Sequence, residues 1–222
     1  MALEIEVLPD AEAAAERGAQ IIAAAAEMAV AERGRFTLAA SGGNAPWTMF
    51  AALYGRMPWD KVTIYQVDER VAPDGDPDRN LTHLQRSLPA GGAANVRAMP
   101  VWAEDLEAGA ATYANALPER IDLVHLGLGP DGHTASLVPG DPVLDVVDRD
   151  VAVTNEYQGR RRMTLTYPAI DRARRILWLV TGDDKVDALA RLRAGDDSIP
   201  AGPISIENAI VVADAAATGS AS

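Results

Sequence analysis

Apolar and polar positions follow two periods along this chain, and the two alternate. Leu3 to Leu8 sets Leu3, Ile5 and Val7 against Glu4 and Glu6, the two-residue period of a half-buried strand. Pro9-Asp10 supplies a break and an N-cap, and Ala11 to Arg33 is rich in strong helix formers that stop at Gly34. Phe36 to Ala40 predicts a short buried strand, and Pro46 suits the first turn of a helix running through Leu53. Val62 to Val67 predicts the next strand, followed by a turn-rich stretch, Pro73 to Asn80, and a short helix over Leu81 to Leu88. Further helices are expected over Glu104–Leu117 and Asp183–Arg193. Strands are expected at Ile121–Leu128, Val151–Asn155, Arg162–Thr166, Ile176–Thr181 and Ile210–Ala213. Ala217 to Ser222 is small and polar, a tail expected to fray.

Strands that alternate with helices pair in parallel, so the expected fold is α/β: an open, mostly parallel, Rossmann-like sheet with helices on both faces. No repeat or low-complexity linker interrupts residues 1–222, which read as one domain. In such sheets ligands bind beyond the carboxyl ends of the strands. Here three strand ends carry the unusual residues: Ser41–Asn44, Asp68–Arg70 and Gly127–His133.

Composition narrows the chemistry. There is no cysteine, which removes disulfides, thiolate metal sites and a cysteine nucleophile, and fits a reducing compartment. No basic, apolar leader opens the chain, and the alanine-rich Ile21–Val30 is too short to span a bilayer, so a cytoplasmic protein without membrane partners is expected. A net charge of −12 argues against nucleic acid as the partner. It does not exclude one phosphate held by a few cations and backbone amides.

Ser41-Gly42-Gly43-Asn44 joins a strand to a helix start, a seat for an anion or simply a tight turn; the Lys-Ser/Thr ending of a Walker loop is missing. Asp68-Glu69-Arg70 puts charges at a strand end, where Arg70 could fork onto phosphate and Asp68 could accept from hydroxyls, or the two could form a surface ion pair. Gly127-x-Gly129-x-x-Gly132 spells the dinucleotide fingerprint, but Pro130 lies inside it and no helix opens on the last glycine. What remains is a glycine-rich loop presenting Asp131 and His133. Of the three histidines, His125 lies inside a strand as a core or cleft-wall residue, and His83 sits on a polar helix at the surface. His133 alone combines a loop, a strand end and a neighbouring carboxylate; a free imidazole titrates near ~6.5 and serves as a base at neutral pH. No HxH or HExxH spacing suggests a metal, and no GxSxG elbow suggests a serine hydrolase. Arg160-Arg161-Arg162 forms a local cationic patch with Arg160 and Arg162 on one strand face, and Lys185 offers a further cation.

In this order, SGGNAP (41–46), VDERVAP (67–73), Asn80, LGLGPDGHTASLVPG (126–140), RMTLTYPAI (162–170), VTGDDK (180–185) and VVADAAA (211–217) resemble the 6-phosphogluconolactonase family, with its glucosamine-6-phosphate isomerase/deaminase-like fold. The resemblance runs from about Ile5 to Ala217, and the GPDGHTASLVPG stretch is its most specific part. It implies hydrolysis of 6-phosphoglucono-1,5-lactone in the oxidative pentose phosphate pathway, without metal or organic cofactor. It also implies His133 as the general base, with the Gly42–Gly43 loop, Arg70 and Arg162 holding phosphate or oxyanion. The chain departs from the family at Asn44, Ala45 and Trp47, where members often carry serine, threonine and lysine, and at Arg79, where serine is more frequent. Arg70 and the arginines at 160–162 are candidates to replace the missing lysine. Related deaminases carry phenylalanine, asparagine and glutamate where Ser136, Leu137 and Val138 stand here, so isomerase chemistry lacks a carboxylate. A sugar-phosphate sensor on this fold would call for an added DNA-binding segment, for which the chain leaves no residues.

Overall fold

The computed structural model describes residues 3–93 and 95–220. The apolar runs β1 (Glu4–Leu8), β2 (Phe36–Ala40), β3 (Val62–Gln66), β5 (Val96–Arg97), β6 (Leu123–Leu126), β9 (Ile176–Val180) and β10 (Ala209–Asp214) form one seven-stranded sheet. Its order is β1-β10-β9-β6-β2-β3-β5, and every neighbouring pair is parallel.

Side chains alternate across a strand, so each buried run serves two cores. Leu38, Ala40, Leu177, Leu179, Ile210 and Val212 face α1 (Ala11–Arg33), α2 (Asn44–Ala51) and α3 (Asn80–Ser87). Ala39, Trp178, Val180, Val211 and Ala213 face α5 (Leu106–Ala116), α6 (Tyr167–Asp171) and α7 (Val186–Ala194). A single helical turn, α4 (Ala90–Ala93), precedes β5. The ends of α1 are fixed locally: Asp10 accepts from Ala13 N at 2.8 Å, worth about 1 kcal/mol, and Gly34 closes it in the left-handed conformation. At the edge, β1 pairs among the described residues only with β10, and Val7, expected on the buried side of the strand, is 50% exposed.

Two expected strands leave the parallel pattern. β7 (Val151–Val153) and β8 (Arg162–Leu165) pair antiparallel, and β4 (Asp68–Arg70) joins them in a separate sheet of order β4-β8-β7. The reason lies in the connection. Tyr157 and Arg160 exchange backbone hydrogen bonds around Gln158 and Gly159, with φ of 53° and 78°, the left-handed pair of a type I′ turn. A turn that tight joins only antiparallel strands. Asp68–Arg70 is therefore a strand of the second sheet and not the charged end of the strand expected over Val62–Val67.

The end expected to fray is held through residue 220. Ala217 is fully buried, the Asp214 carboxylate accepts from its N–H at 2.8 Å, and Ser220 N donates to Ala215 O. Residues 221 and 222 lie outside the described residues. Among the described residues no helix is long and apolar enough to cross a membrane.

The path of the chain creates the site. From β2 it steps outward through β3 to β5, then returns to the other side of β2 at β6 and steps outward again to β9 and β10. The loops leaving β2 and β6 diverge there and open a crevice at the carboxyl end of the sheet.

Candidate active site

A cleft of about 450 Å³ fills that crevice, within the usual roughly 300–1,000 Å³ of small-molecule sites. The three predicted segments meet in it. Ser41 to Asn44 follow β2, Asp68 and Arg70 lie on β4, and Gly127 to Ala135 follow β6. Arg162 enters from β8 and Lys185 from the turn after β9. Asp131 stands behind His133, outside the lining itself.

The loop after β6 is folded to present one imidazole. Gly132 adopts φ 79°, Gly129 N donates to His133 O at 2.8 Å, and Thr134 Oγ1 donates to Gly127 O at 2.8 Å. The His133 ring lies so close to Gly129 that a Cβ there would sit 2.1 Å from Nδ1. Asp131 Oδ1 lies 2.5 Å from Nδ1 and also accepts from the His133 backbone N–H. A carboxylate against Nδ1 makes that nitrogen the donor and leaves the Nε2 lone pair free. Burial opposes ionisation of Asp131, but the hydrogen bonds and charge of His133, with the Tyr157 hydroxyl, outweigh it and hold its pKa below the usual carboxylate value. His133 keeps 24% of its side-chain surface open, enough to meet water.

The opposite wall is built around Glu69. This fully buried carboxylate accepts from Gln66 Nε2 and from the backbone N–H groups of Arg70, Asn80 and Leu81, capping α3. Arg79 Nε, also buried, lies 3.1 Å from Glu69 Oε2 as an ion pair, and Arg79 Nη1 donates to Ala72 O. The arginine before Asn80 thus neutralises the carboxylate beneath the helix. Asn80 then accepts from Arg70 Nη1 at 2.8 Å and donates to Asp68 Oδ1 and O at 3.0 Å. Asp68 also accepts from Ser136 Oγ at 2.6 Å, tying the two walls together. Arg70 and Arg162 each keep a buried Nε without a partner among the described residues. Burial, then the neighbouring Arg70 charge, lowers the pKa of the Arg162 guanidinium below its ordinary value. Two cations held this close form a natural seat for an anion.

The first loop completes the cleft. Gly42 packs against Asn80, where a Cβ would fall 2.2 Å from Oδ1, and no side chain caps the start of α2, whose first amides stay available. Lys185 Nζ lies 2.6 Å from Asp184, so this cation is already paired. The arginine patch divides. Arg162 lines the cleft, whereas Arg160 binds Asp76 and Asp78 and Arg161 donates to Thr154 O. Arg160 does not share the site-facing side because it belongs to the turn and not to β8.

His125 is fully buried; its Nδ1 accepts from Ser41 N at 3.3 Å, and burial pushes its pKa down to about 3, so it stays neutral. His83 is half-buried and not simply on the surface: it stacks on Trp47 and binds Pro77 O. Sequence reasoning missed Tyr157, Gln158 and the part played by Glu69. The available signal was the short gap, containing Gly159, between the strands expected at Val151–Asn155 and Arg162–Thr166, which suits a hairpin that carries the first two. Among the described residues no group of three or more His, Asp or Glu could hold a metal ion.

The family described as glucosamine-6-phosphate isomerases/6-phosphogluconolactonase matches residues 9–212. A 6-phosphogluconolactonase of Synechocystis sp. is 39% identical over 211 residues, covering 87% of this chain and 86% of that protein. One from Rhizobium meliloti is 34% identical, covering 89% and 90%. The crystal structure of a 6-phosphogluconolactonase from Shewanella baltica superposes with a TM-score of 0.86 at 26% identity, covering 96% of this chain and 97% of that one. A monomeric glucosamine-6-phosphate deaminase shares the fold at a TM-score of 0.81 and 19% identity, covering 99% of this chain and all (100%) of that one. The chain belongs to the glucosamine-6-phosphate isomerase/6-phosphogluconolactonase family.

Proposed function

We propose that this protein hydrolyses 6-phosphoglucono-1,5-lactone to 6-phosphogluconate, with His133 as the general base. The observation that carries the reading is the Asp131–His133 pair set in one cleft with Arg70, Arg162 and the uncapped start of α2. The names of the curated relatives support the substrate.

In this mechanism Nε2 of His133 takes a proton as water attacks the lactone carbonyl. The tetrahedral oxyanion is stabilised by guanidinium N–H groups, and its collapse breaks the ring C–O bond. The departing oxygen takes up a proton, and the acid ionises. A placed base contributes roughly 10²–10⁴ in rate and fixed oxyanion donors a comparable factor. The phosphate sits on the amides of the Gly42–Asn44 loop and the remaining cations. Deaminase chemistry is disfavoured because Leu137 and Val138 are buried apolar residues, where related deaminases present polar groups.

The test is a continuous assay with freshly generated 6-phosphogluconolactone against unphosphorylated gluconolactone and glucosamine 6-phosphate. Strong preference for the phosphorylated lactone, abolished in His133→Ala, is expected. Equal rates on both lactones would remove the phosphate seat, and full activity in the variant would remove the base.

A further inference from the structure

The hairpin between β7 and β8 reaches the base from behind, and nothing in the mechanism above uses it. Its tip is Tyr157-Gln158-Gly159-Arg160. The Tyr157 hydroxyl donates to Asp131 Oδ2 at 3.0 Å, on the oxygen that His133 leaves free. The Tyr157 ring meets the His133 ring edge to face at 5.8 Å, and the Arg162 guanidinium carbon lies 5.0 Å from the Tyr157 ring centroid. Gln158 accepts from Arg162 Nη2 at 3.1 Å, although its backbone occupies the left-handed region, at φ 53°, that favours glycine. One turn therefore touches both the base assembly and an anion-binding cation.

We infer that Tyr157 is a positioning residue for the lactonase reaction: its hydroxyl shares the negative charge of Asp131 and so sets how strongly that carboxylate holds the proton on His133. This rests on the assignment of His133 as base. A bare carboxylate stabilises the imidazolium strongly, which favours protonation and withholds the lone pair. A phenol donating to the other carboxylate oxygen withdraws part of that charge and keeps the ring available. Burial, and then Asp131 itself, raises the Tyr157 pKa, so the phenol remains a donor. The other charged groups lining the cleft are Asp68 and Arg70 on β4, Arg162 on β8, and Asp184 and Lys185 after β9. None of them is a hydrogen-bond partner of the Tyr157 hydroxyl, which donates to Asp131 and accepts from Gln158 Nε2 at 3.4 Å.

The experiment compares Tyr157→Phe with wild type across pH. The acidic limb of kcat/KM is expected to move to higher pH, and kcat at neutral pH to fall about three- to tenfold with KM unchanged. Site-specific 3-fluorotyrosine at 157, a stronger donor, should move the limb the opposite way. A lost hydroxyl also strengthens the Asp131–His133 bond, so the His133 Nδ1–H proton resonance should move downfield in the ligand-free protein. That resonance is read without turnover, so it decides the inference even if the wild-type protein leaves the lactone intact, a result that would count against the proposed function instead. Superimposable pH profiles and an unmoved resonance in Tyr157→Phe would overturn the inference.

Discussion

The two walls of the cleft are built on opposite physical terms. The base wall is a loop with Asp131 and His133 at 36% and 24% side-chain exposure, held by short hydrogen bonds at the surface. The anion wall is a dry network in which Asp68, Glu69, Arg79 and Asn80 are all 5% exposed or less. The difference follows from what each wall meets. A base must present a lone pair to water, so it cannot be sealed. Cations that hold an anion gain from low dielectric, and the charges that orient them must then be paired inside. Changes on the base wall should therefore alter rate far more than stability, and changes on the anion wall should alter binding and stability together.

The largest effect expected is on the base wall: His133→Ala should lower kcat by about 10²–10⁴ with an unchanged unfolding midpoint. A fall in thermal stability of comparable weight would break the contrast. Next comes Glu69→Ala, which leaves the Arg79 charge buried alone and uncaps α3; denaturant titration should show a loss of about 3–5 kcal/mol, with a raised KM. Gly129→Ala pushes a methyl into the His133 ring and should cost on the order of 10²-fold in kcat while the circular dichroism stays native. Arg70→Ala removes a guanidinium held by Asn80, and KM for the phosphorylated lactone should rise roughly tenfold or more with little change for the unphosphorylated one.

The smallest expected effect concerns acid stability. Asp131 has a depressed pKa in the fold, so the unfolded chain binds more protons between the folded and ordinary values, and stability rises with pH there. Its contribution is complete above the ordinary carboxylate value and is lost as pH falls through the depressed one. For a group this exposed it should stay below about 1 kcal/mol. Urea midpoints followed from neutral to acid pH should fall less steeply in Asp131→Asn; equal slopes would show that the pair does not couple to folding.

The main sheet was legible because a parallel strand buried on both faces must be an apolar run, and β2, β3, β6, β9 and β10 are all such runs. The site loops were legible because each directly follows one of those runs or, at Asp68, a single residue beyond. What escaped was everything that depends on a second sheet. Asp68-Glu69-Arg70 has no apolar alternation and becomes a strand only because β8 lies beside it. Glu69 gave no sign of being a buried hub, since a charged residue is buried only when distant partners arrive, here Arg79 and the start of α3. Tyr157 is similar: its bond to Asp131 spans 26 positions and depends on how a hairpin tip folds over.

The pairing of β1 with β10 alone has a consequence for how the protein is made. Of the strands in this sheet β1 comes earliest along the chain, and its partner among the described residues is β10, the latest of them, so its backbone groups on that edge go unmatched until β10 is made. Joining these two closes a loop that contains every other strand of the sheet, a slow and entropically costly step. Until then the growing chain exposes β1 as an open template for foreign strands, and Glu4 and Glu6 on that short segment provide the charge that discourages such pairing.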